Sequence, residues 1–259
     1  MKKFRIVFWM IVVLCIFTSF SVAINNGQPQ ENEMVTQLLK AANNGDAKAQ
    51  FSLGVVYYNG QGVLQDYRQA AAWTQKAAEN GYPMAQYNLS ILYSNGEGVP
   101  QDNVQAANWA RKAAEQGHAI PQCRVGELFH NGMGVPQDYA QAAAWYRKAA
   151  DQGYAKAQFL LGTLLYKGLG VQQDYVQAAA WTRKAADQEY PMALYNLGSM
   201  YANGEGVEND YVQAYLWFSL AKMQRVENAE NLIIKCEKKM SPEQIEKAKK
   251  MVQEWSFKK

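Results

Sequence analysis

The chain has 259 residues, 49% of them hydrophobic and only 19% charged, so it can bury an extended core. Its formal charge of +3 is supplied by Lys2, Lys3 and Arg5, and the acids and bases of the remainder balance. That excludes bulk charge as a basis for binding nucleic acid or a membrane surface.

The first residues read as an export signal. Lys2, Lys3 and Arg5 form a positive segment, Ile6 to Phe17 is an apolar run of signal-peptide length, and Ser21-Val22-Ala23 offers small residues where a signal peptidase reads. Residues 1–23 are expected to be a signal peptide cleaved after Ala23, making the protein periplasmic or secreted. The alternative is an uncleaved inner-membrane anchor, since Val7 to Ile24 is nearly long enough to span a bilayer. Cys15 is not a lipoprotein cysteine, because Leu14 stands where a small residue is needed. Residues 24–33 read as a linker. Met34 to Asn43 then reads as a lone helix capping the start over residues 34–48, with Ala41, Ala42 and Gly45 in register with Ala77, Ala78 and Gly81.

Residues 49–228 repeat one unit five times. Trp73, Trp109, Trp145, Trp181 and Trp217 stand 36 residues apart, as do Gly60, Gly96, Gly132, Gly168 and Gly204, and each of these glycines has a second two residues on. Asp66, Asp102, Asp138, Asp174 and Asp210 keep the same step. A fixed period of this size marks a stacked array of supersecondary units. Within one unit, Ala49, Leu53, Val56 and Tyr57 form a helical stripe. Gly60 and Gly62 end that helix through the left-handed conformation, and Val63 plugs the loop into the core. Asp66 restarts the chain as an N-cap, with Gln69 placed to reach back as in a capping box. The second helix, about Tyr67 to Glu79, buries Ala70, Trp73 and Ala77 on one face, and Gly81 stops it. Glu189 takes that glycine's place once, and Pro83 and Pro191 open first helices.

Residues 229–259 are expected to be C-terminal capping helices. Ser241-Pro242-Glu243-Gln244 is a strong helix start, and the helix to about Trp255 is lysine-rich on one face. Cys123 and Cys236 lie three repeats apart in an array whose repeats touch only neighbours, too far for a disulfide. They read as buried small hydrophobes.

The pattern spelled by Ala157, Leu161, Gly162, Gly168, Gly170, Val171, Asp174, Ala178, Trp181, Lys184, Ala185 and Ala186 resembles the Sel1-like repeat, a 36-residue relative of the tetratricopeptide repeat. It covers roughly residues 34–256, with Ser90 for the first-helix glycine, Pro121 for an alanine and Asn103 for the tyrosine after the cap. The resemblance implies an all-α fold, an α/α solenoid wound as a right-handed superhelix, whose concave surface binds proteins or peptides. It also implies roles of exported members in envelope assembly or host interaction. A cysteine-rich branch is linked to β-lactams, but this chain lacks the cysteine pairs of that branch.

No cofactor, metal set or catalytic constellation is expected. His118 and His130 fit no ligand pattern, and no Gly-x-Ser-x-Gly elbow occurs. Ser256 to Lys259 spells Ser-x-x-Lys without partner motifs. The Gly-x-Gly loops lack the strand and the Gly-Lys-Ser/Thr ending of a phosphate loop, and each offers a calcium ion one Asp already used as a cap. The tryptophans read as core. The lysines of 235–250 are interleaved with glutamates and read as a solvated cap face. The informative positions are those that differ between repeats. On the first helices one column reads Ser52, Asn88, Arg124, Leu160, Asn196, the next Val55, Ile91, Glu127, Thr163, Ser199, and one turn on Tyr58, Ser94, His130, Tyr166, Ala202. Asn88, Arg124, Glu127, His130 and Asn196 are the candidate groove residues, the amides suited to clamping a peptide backbone. The expected function is a non-enzymatic scaffold for a protein or peptide of the envelope or host, without nucleic acid and without membrane insertion beyond the N-terminal segment. The alternative, drawn from the cysteine-rich relatives, is a hydrolase acting on β-lactams or peptidoglycan. The oligomeric state is left open.

Overall fold

The computed structural model describes residues 29–257; the expected signal segment lies outside them. The described residues form helices and turns only. A lone helix α1 (Pro29–Asn43) begins ahead of Met34 and precedes five hairpins: α2 (Ala47–Asn59) with α3 (Tyr67–Glu79), α4 (Pro83–Asn95) with α5 (Asn103–Glu115), α6 (Ala119–Asn131) with α7 (Tyr139–Asp151), α8 (Ala155–Lys167) with α9 (Tyr175–Asp187), and α10 (Pro191–Asn203) with α11 (Tyr211–Met223). Two further helices, α12 (Ala229–Glu237) and α13 (Pro242–Phe257), pack on α11 and close the array. Each helix packs chiefly on its sequence neighbours, which gives the all-α repeat solenoid expected. No described helix is long and apolar enough to cross a membrane.

The repeated letters do the folding. Leu53, Leu89, Leu161 and Leu197 are fully enclosed, as are Ala77, Ala113, Ala149, Ala185 and Ala221 on the facing second helices. Gly60 and its four counterparts end the first helices at φ between 66° and 73°. The second glycine answers a tighter demand. A Cβ on Gly98 would stand 1.8 Å from the Tyr67 carbonyl oxygen, and one on Gly206 1.9 Å from that of Tyr175. Each loop is thereby wedged against the preceding repeat's second helix, and only glycine fits.

The aspartates cap as expected, Asp66 Oδ1 accepting from the amides of Arg68 and Gln69 at 2.9 and 3.1 Å. The reciprocal half of the capping box does not form. The Asp66 amide donates instead to the Tyr57 carbonyl at 3.0 Å, and Asp102, Asp138, Asp174 and Asp210 do the same to Tyr93, Phe129, Leu165 and Tyr201. The amide that Gln69 was expected to satisfy is already used to close the hairpin. At the start of α13 the box is complete, with Ser241 N donating to Gln244 Oε1 and Gln244 N to Ser241 Oγ.

A buried carboxamide ladder, not expected from the sequence, runs between repeats. Gln50, Gln86, Gln122 and Gln158 donate to the carbonyls of Ala42, Ala78, Ala114 and Ala150. Their own carbonyl oxygens accept from Asn80, Gln116, Gln152 and Gln188, each 30 residues on. The tryptophans need a correction. Trp73 and Trp217 are buried, but Trp109, Trp145 and Trp181 are half exposed. The ammonium groups of Lys76, Lys112, Lys148 and Lys184 lie 4.0–4.1 Å from the ring centroids of Trp73, Trp109, Trp145 and Trp181. Each ring sits at the middle of its second helix, and four of the five carry a lysine ammonium of the same helix over one face. Cys123 and Cys236 are free thiols, both buried.

Candidate functional site

Side chains of neighbouring first helices meet on one face, and the unrepeated residues gather there. A first-helix glycine brings each first helix close to its second helix, and what it faces varies. Gly54 and Gly162 face Thr74 and Thr182, Gly126 faces the Tyr146 ring, and Gly198 faces the Phe218 ring. Ser90 replaces this glycine in the second repeat, where the corresponding residue on α5 is Ala110. The departure is therefore compensated within its own hairpin.

In the middle of the face, the Arg124 guanidinium donates to Ser94 Oγ at 2.8 Å, and its other Nη lies 3.8 Å from Glu127 Oε2. Lys156, on the next first helix, pairs with Glu127 Oε1. Two cations thus share one carboxylate, with side-chain exposures of 19% for Arg124, 38% for Lys156 and 21% for Glu127. Burial alone would lower the Lys156 pKa; the Glu127 charge and hydrogen bond outweigh it and raise it above the ordinary lysine range. Burial, with Glu127 adding to it, pushes the Cys123 thiol up to about 12. Burial also raises the phenols of Tyr87, Tyr154 and Tyr190, which feel the same Glu127 charge. The centre is a half-buried charged patch with a positive surplus, ringed by tyrosines.

His130 does not join this patch. Its ring meets Tyr139 edge-on at 5.2 Å and lies 6.4 Å from Tyr146, and its enclosed Nδ1 has no hydrogen-bond partner among the described residues. The structure therefore unites Arg124 and Glu127 and separates His130 from them. His118 is the exposed N-cap residue of α6. Among the described residues no group of three or more His, Cys, Asp or Glu side chains is arranged to hold a metal ion.

Asn88 and Asn196 sit apart, in two equivalent places 108 residues, or three repeats, from each other. Asn196 lines a cleft of about 340 Å³ between α8 and α10, walled by Phe159, Tyr166, Thr163, Ser199 and Thr182. Asn88 lines the counterpart between α2 and α4 with Val55, Tyr58 and Thr74, where only about 10 Å³ is open. Neither carboxamide has a hydrogen bond to another described residue. Two hollows also open beside the second helices, one of about 300 Å³ at Trp109 and Lys112 and one of about 520 Å³ at Trp145 and Arg111. The latter is the larger of the two hollows but is a shallow surface depression, whereas the Asn196 cleft is recessed between two helices and edged by convergent polar groups.

The chain matches the model of the Sel1 repeat over residues 47–82, 83–118, 122–154, 155–190 and 191–225. The chain belongs to the Sel1 repeat family. Among solved structures it is similar to a Sel1 repeat protein from Oxalobacter formigenes, 35% identical with a TM-score of 0.71 over 79% of this chain and 60% of that one. It is also similar to a protective antigen present in uropathogenic Escherichia coli strains, 32% identical with a TM-score of 0.69 over 85% of this chain and 56% of that one. The chain thus spans less than two thirds of the length of either. A comparison with curated proteins gives no match. Sel1 repeat proteins are in general protein-interaction scaffolds, typically non-enzymatic.

Within these Sel1 repeats, sequence reasoning missed Lys156, which completes the central patch, and Glu97 and Glu205, which each accept a tyrosine hydroxyl from the preceding repeat. The signal was present in the loop column Gln61, Glu97, Met133, Leu169, Glu205, where acid appears twice at the three-repeat interval.

Proposed function

We propose that this chain is an exported, non-enzymatic scaffold that binds a protein or peptide of the cell envelope or of a host along the concave face of its first helices. The observation that carries the reading is the gathering of the unrepeated polar residues on that one face: the Arg124–Glu127–Lys156 patch, flanked on either side by the unpaired carboxamides of Asn88 and Asn196. An amide side chain both donates and accepts, as an extended peptide backbone does. Export is supported by the basic, apolar and small-residue succession of residues 1–23. Among the described residues no arrangement favours catalysis, since His118, His130, Cys123 and Cys236 form no cluster and both of these thiols are enclosed.

Affinity capture from envelope and host extracts tests the face, comparing the wild type with the triple variant Asn88→Ala, Arg124→Ala, Asn196→Ala. A partner held by the wild type and lost by a folded triple variant is expected; identical partners would sink the assignment. Fractionation with N-terminal sequencing checks export, with a mature chain beginning at Ile24 as the expected result.

A further inference from the structure

The cleft between α8 and α10 has an unbalanced supply of hydrogen-bonding groups. Thr163 Oγ1 donates to the Phe159 carbonyl at 2.9 Å and Ser199 Oγ to the Tyr195 carbonyl at 3.1 Å, so both hydroxyl protons are spent within their own helices. The Tyr166 hydroxyl donates to Glu205 Oε2 at 2.9 Å. That carboxylate raises the Tyr166 pKa and keeps the phenol a donor. What these groups still offer is lone pairs. Glu205 also takes Asn203 Nδ2 on the same oxygen at 3.3 Å, leaving Oε1 unpaired among the described residues. The donors left to face inward are the Asn196 carboxamide, the single hydroxyl of Thr182 at the floor, and Lys167, an exposed rim residue free to turn to water, so acceptor sites outnumber the fixed donors.

We propose that this cleft receives the guanidinium of an arginine side chain from the partner polypeptide. A guanidinium brings five donors and no acceptor, the complement of the cleft, and its charge meets Glu205. Its flat face suits the aromatic walls Phe159 and Tyr166 better than a compact ammonium would. A carboxylate would oppose Glu205 and the lone pairs, and an apolar group would leave them unpaired. The cleft, at about 340 Å³, holds one large side chain.

The counterpart three repeats earlier shows how the same frame closes. Tyr58 donates to Glu97 Oε2 at 3.0 Å, and Thr74 and Asn88 take the places of Thr182 and Asn196. Val55 and Ile91 stand where the open cleft has Thr163 and Ser199, and the space shrinks to about 10 Å³. Leu92 likewise stands where the open cleft has Met200, so valine and isoleucine at 163 and 199 are side chains this frame already accepts at its closed junction. The inference rests on the reading that this face takes a polypeptide, and names the side chain it selects.

The test titrates the full, ¹⁵N-labelled chain with the peptide acetyl-Ser-Arg-Ser-amide and with the same peptide carrying citrulline, which keeps the shape and loses the charge. The arginine peptide is expected to shift the Asn196 side-chain amide resonance and to bind about tenfold more tightly than the citrulline peptide. Glu205→Gln should weaken it by about tenfold, and Lys167→Ala, which removes a competing cation, should tighten it roughly threefold. The double variant Thr163→Val, Ser199→Ile should abolish the shift with Tm unchanged or raised. No shift at Asn196, equal binding of the two peptides, or an undiminished shift in the folded double variant overturns the proposal. Partner capture that survives this double variant but is lost in the Asn88, Arg124, Asn196 triple variant overturns the arginine receptor while leaving the binding face. An Asn196 shift by the arginine peptide, with no partner captured on the face, does the reverse.

Discussion

The junction between the first two repeats and that between the last two are built from the same parts. Tyr58, Thr74, Asn88 and Glu97 occupy one; Tyr166, Thr182, Asn196 and Glu205 occupy the other, 108 residues on. One is packed shut and the other holds a cleft of about 340 Å³. The linings differ at Val55 and Ile91 against Thr163 and Ser199, at Leu92 against Met200, and at Asn59 against Lys167 on the rim. The lesson is a division of labour. The repeated residues set the backbone frame so firmly that individual first-helix side chains can open or close the face without disturbing the array.

The frame should break hardest, and equally at both junctions, where the loop glycines touch the preceding repeat. Gly98→Ala and Gly206→Ala each put a Cβ under 2 Å from a backbone carbonyl at a left-handed φ of 74° and 72°. Each should cost at least about 3 kcal/mol in urea denaturation, and a large difference between them would show that the two frames are not equivalent. Gly81→Ala, at a φ of 82° but with open space around it, should cost only about 1 kcal/mol.

Next in size is Gly126→Ser, which forces the Tyr146 ring to move, since its Cδ1 stands 2.5 Å from an added Cβ. The expected loss is about 2–3 kcal/mol, measured the same way. Combining it with Tyr146→Ala recreates the Ser90–Ala110 pairing, so the double variant should lose clearly less than the sum of the two singles. Simple additivity would remove the claim that these positions compensate.

Filling the open cleft with the residues of the closed one, Thr163→Val with Ser199→Ile, should stabilise by about 1 kcal/mol through added apolar burial. A fall in Tm would mean that valine and isoleucine do not pack in the open cleft as Val55 and Ile91 do in the closed junction.

The smallest effect concerns Cys123, whose thiol burial pushes from an ordinary 9.0 up to about 12. The folded state holds the thiol protonated while the unfolded chain ionises, so its stability contribution is intact below pH 9 and is lost as pH rises towards 12. The difference in stability between wild type and Cys123→Ala should be flat to about pH 8 and narrow by about 1 kcal/mol between pH 9 and pH 10. A difference that grows with pH would contradict the burial account.

Much of this was legible in the sequence because the repeat multiplies each local rule by five. The glycines, the capping aspartates and the leucine and alanine columns announce turns, helix starts and core through local chemistry alone. What stayed hidden depends on tertiary neighbours. The Asp66 amide is claimed by the Tyr57 carbonyl, so Gln69 has nothing to reach back to. Trp109, Trp145 and Trp181 repeat as strictly as core residues but are covered on one side by a lysine of their own helix or left to solvent. In the candidate site, the column positions of Asn88, Arg124, Glu127 and Asn196 were readable. Lys156 was not, because it belongs to the next repeat, and neither was the packing of His130 against the Tyr139 and Tyr146 rings of another helix.

The central claim is that the unrepeated first-helix residues, and not the loud tryptophan series, meet the ligand. The most direct measurement titrates a captured partner into the ¹⁵N-labelled chain and maps which resonances move. The account predicts shifts at Asn88, Arg124, Glu127 and Asn196, with the indole signals of Trp109, Trp145 and Trp181 unmoved. Shifts confined to those indoles and their lysines, with the first helices silent, would contradict it.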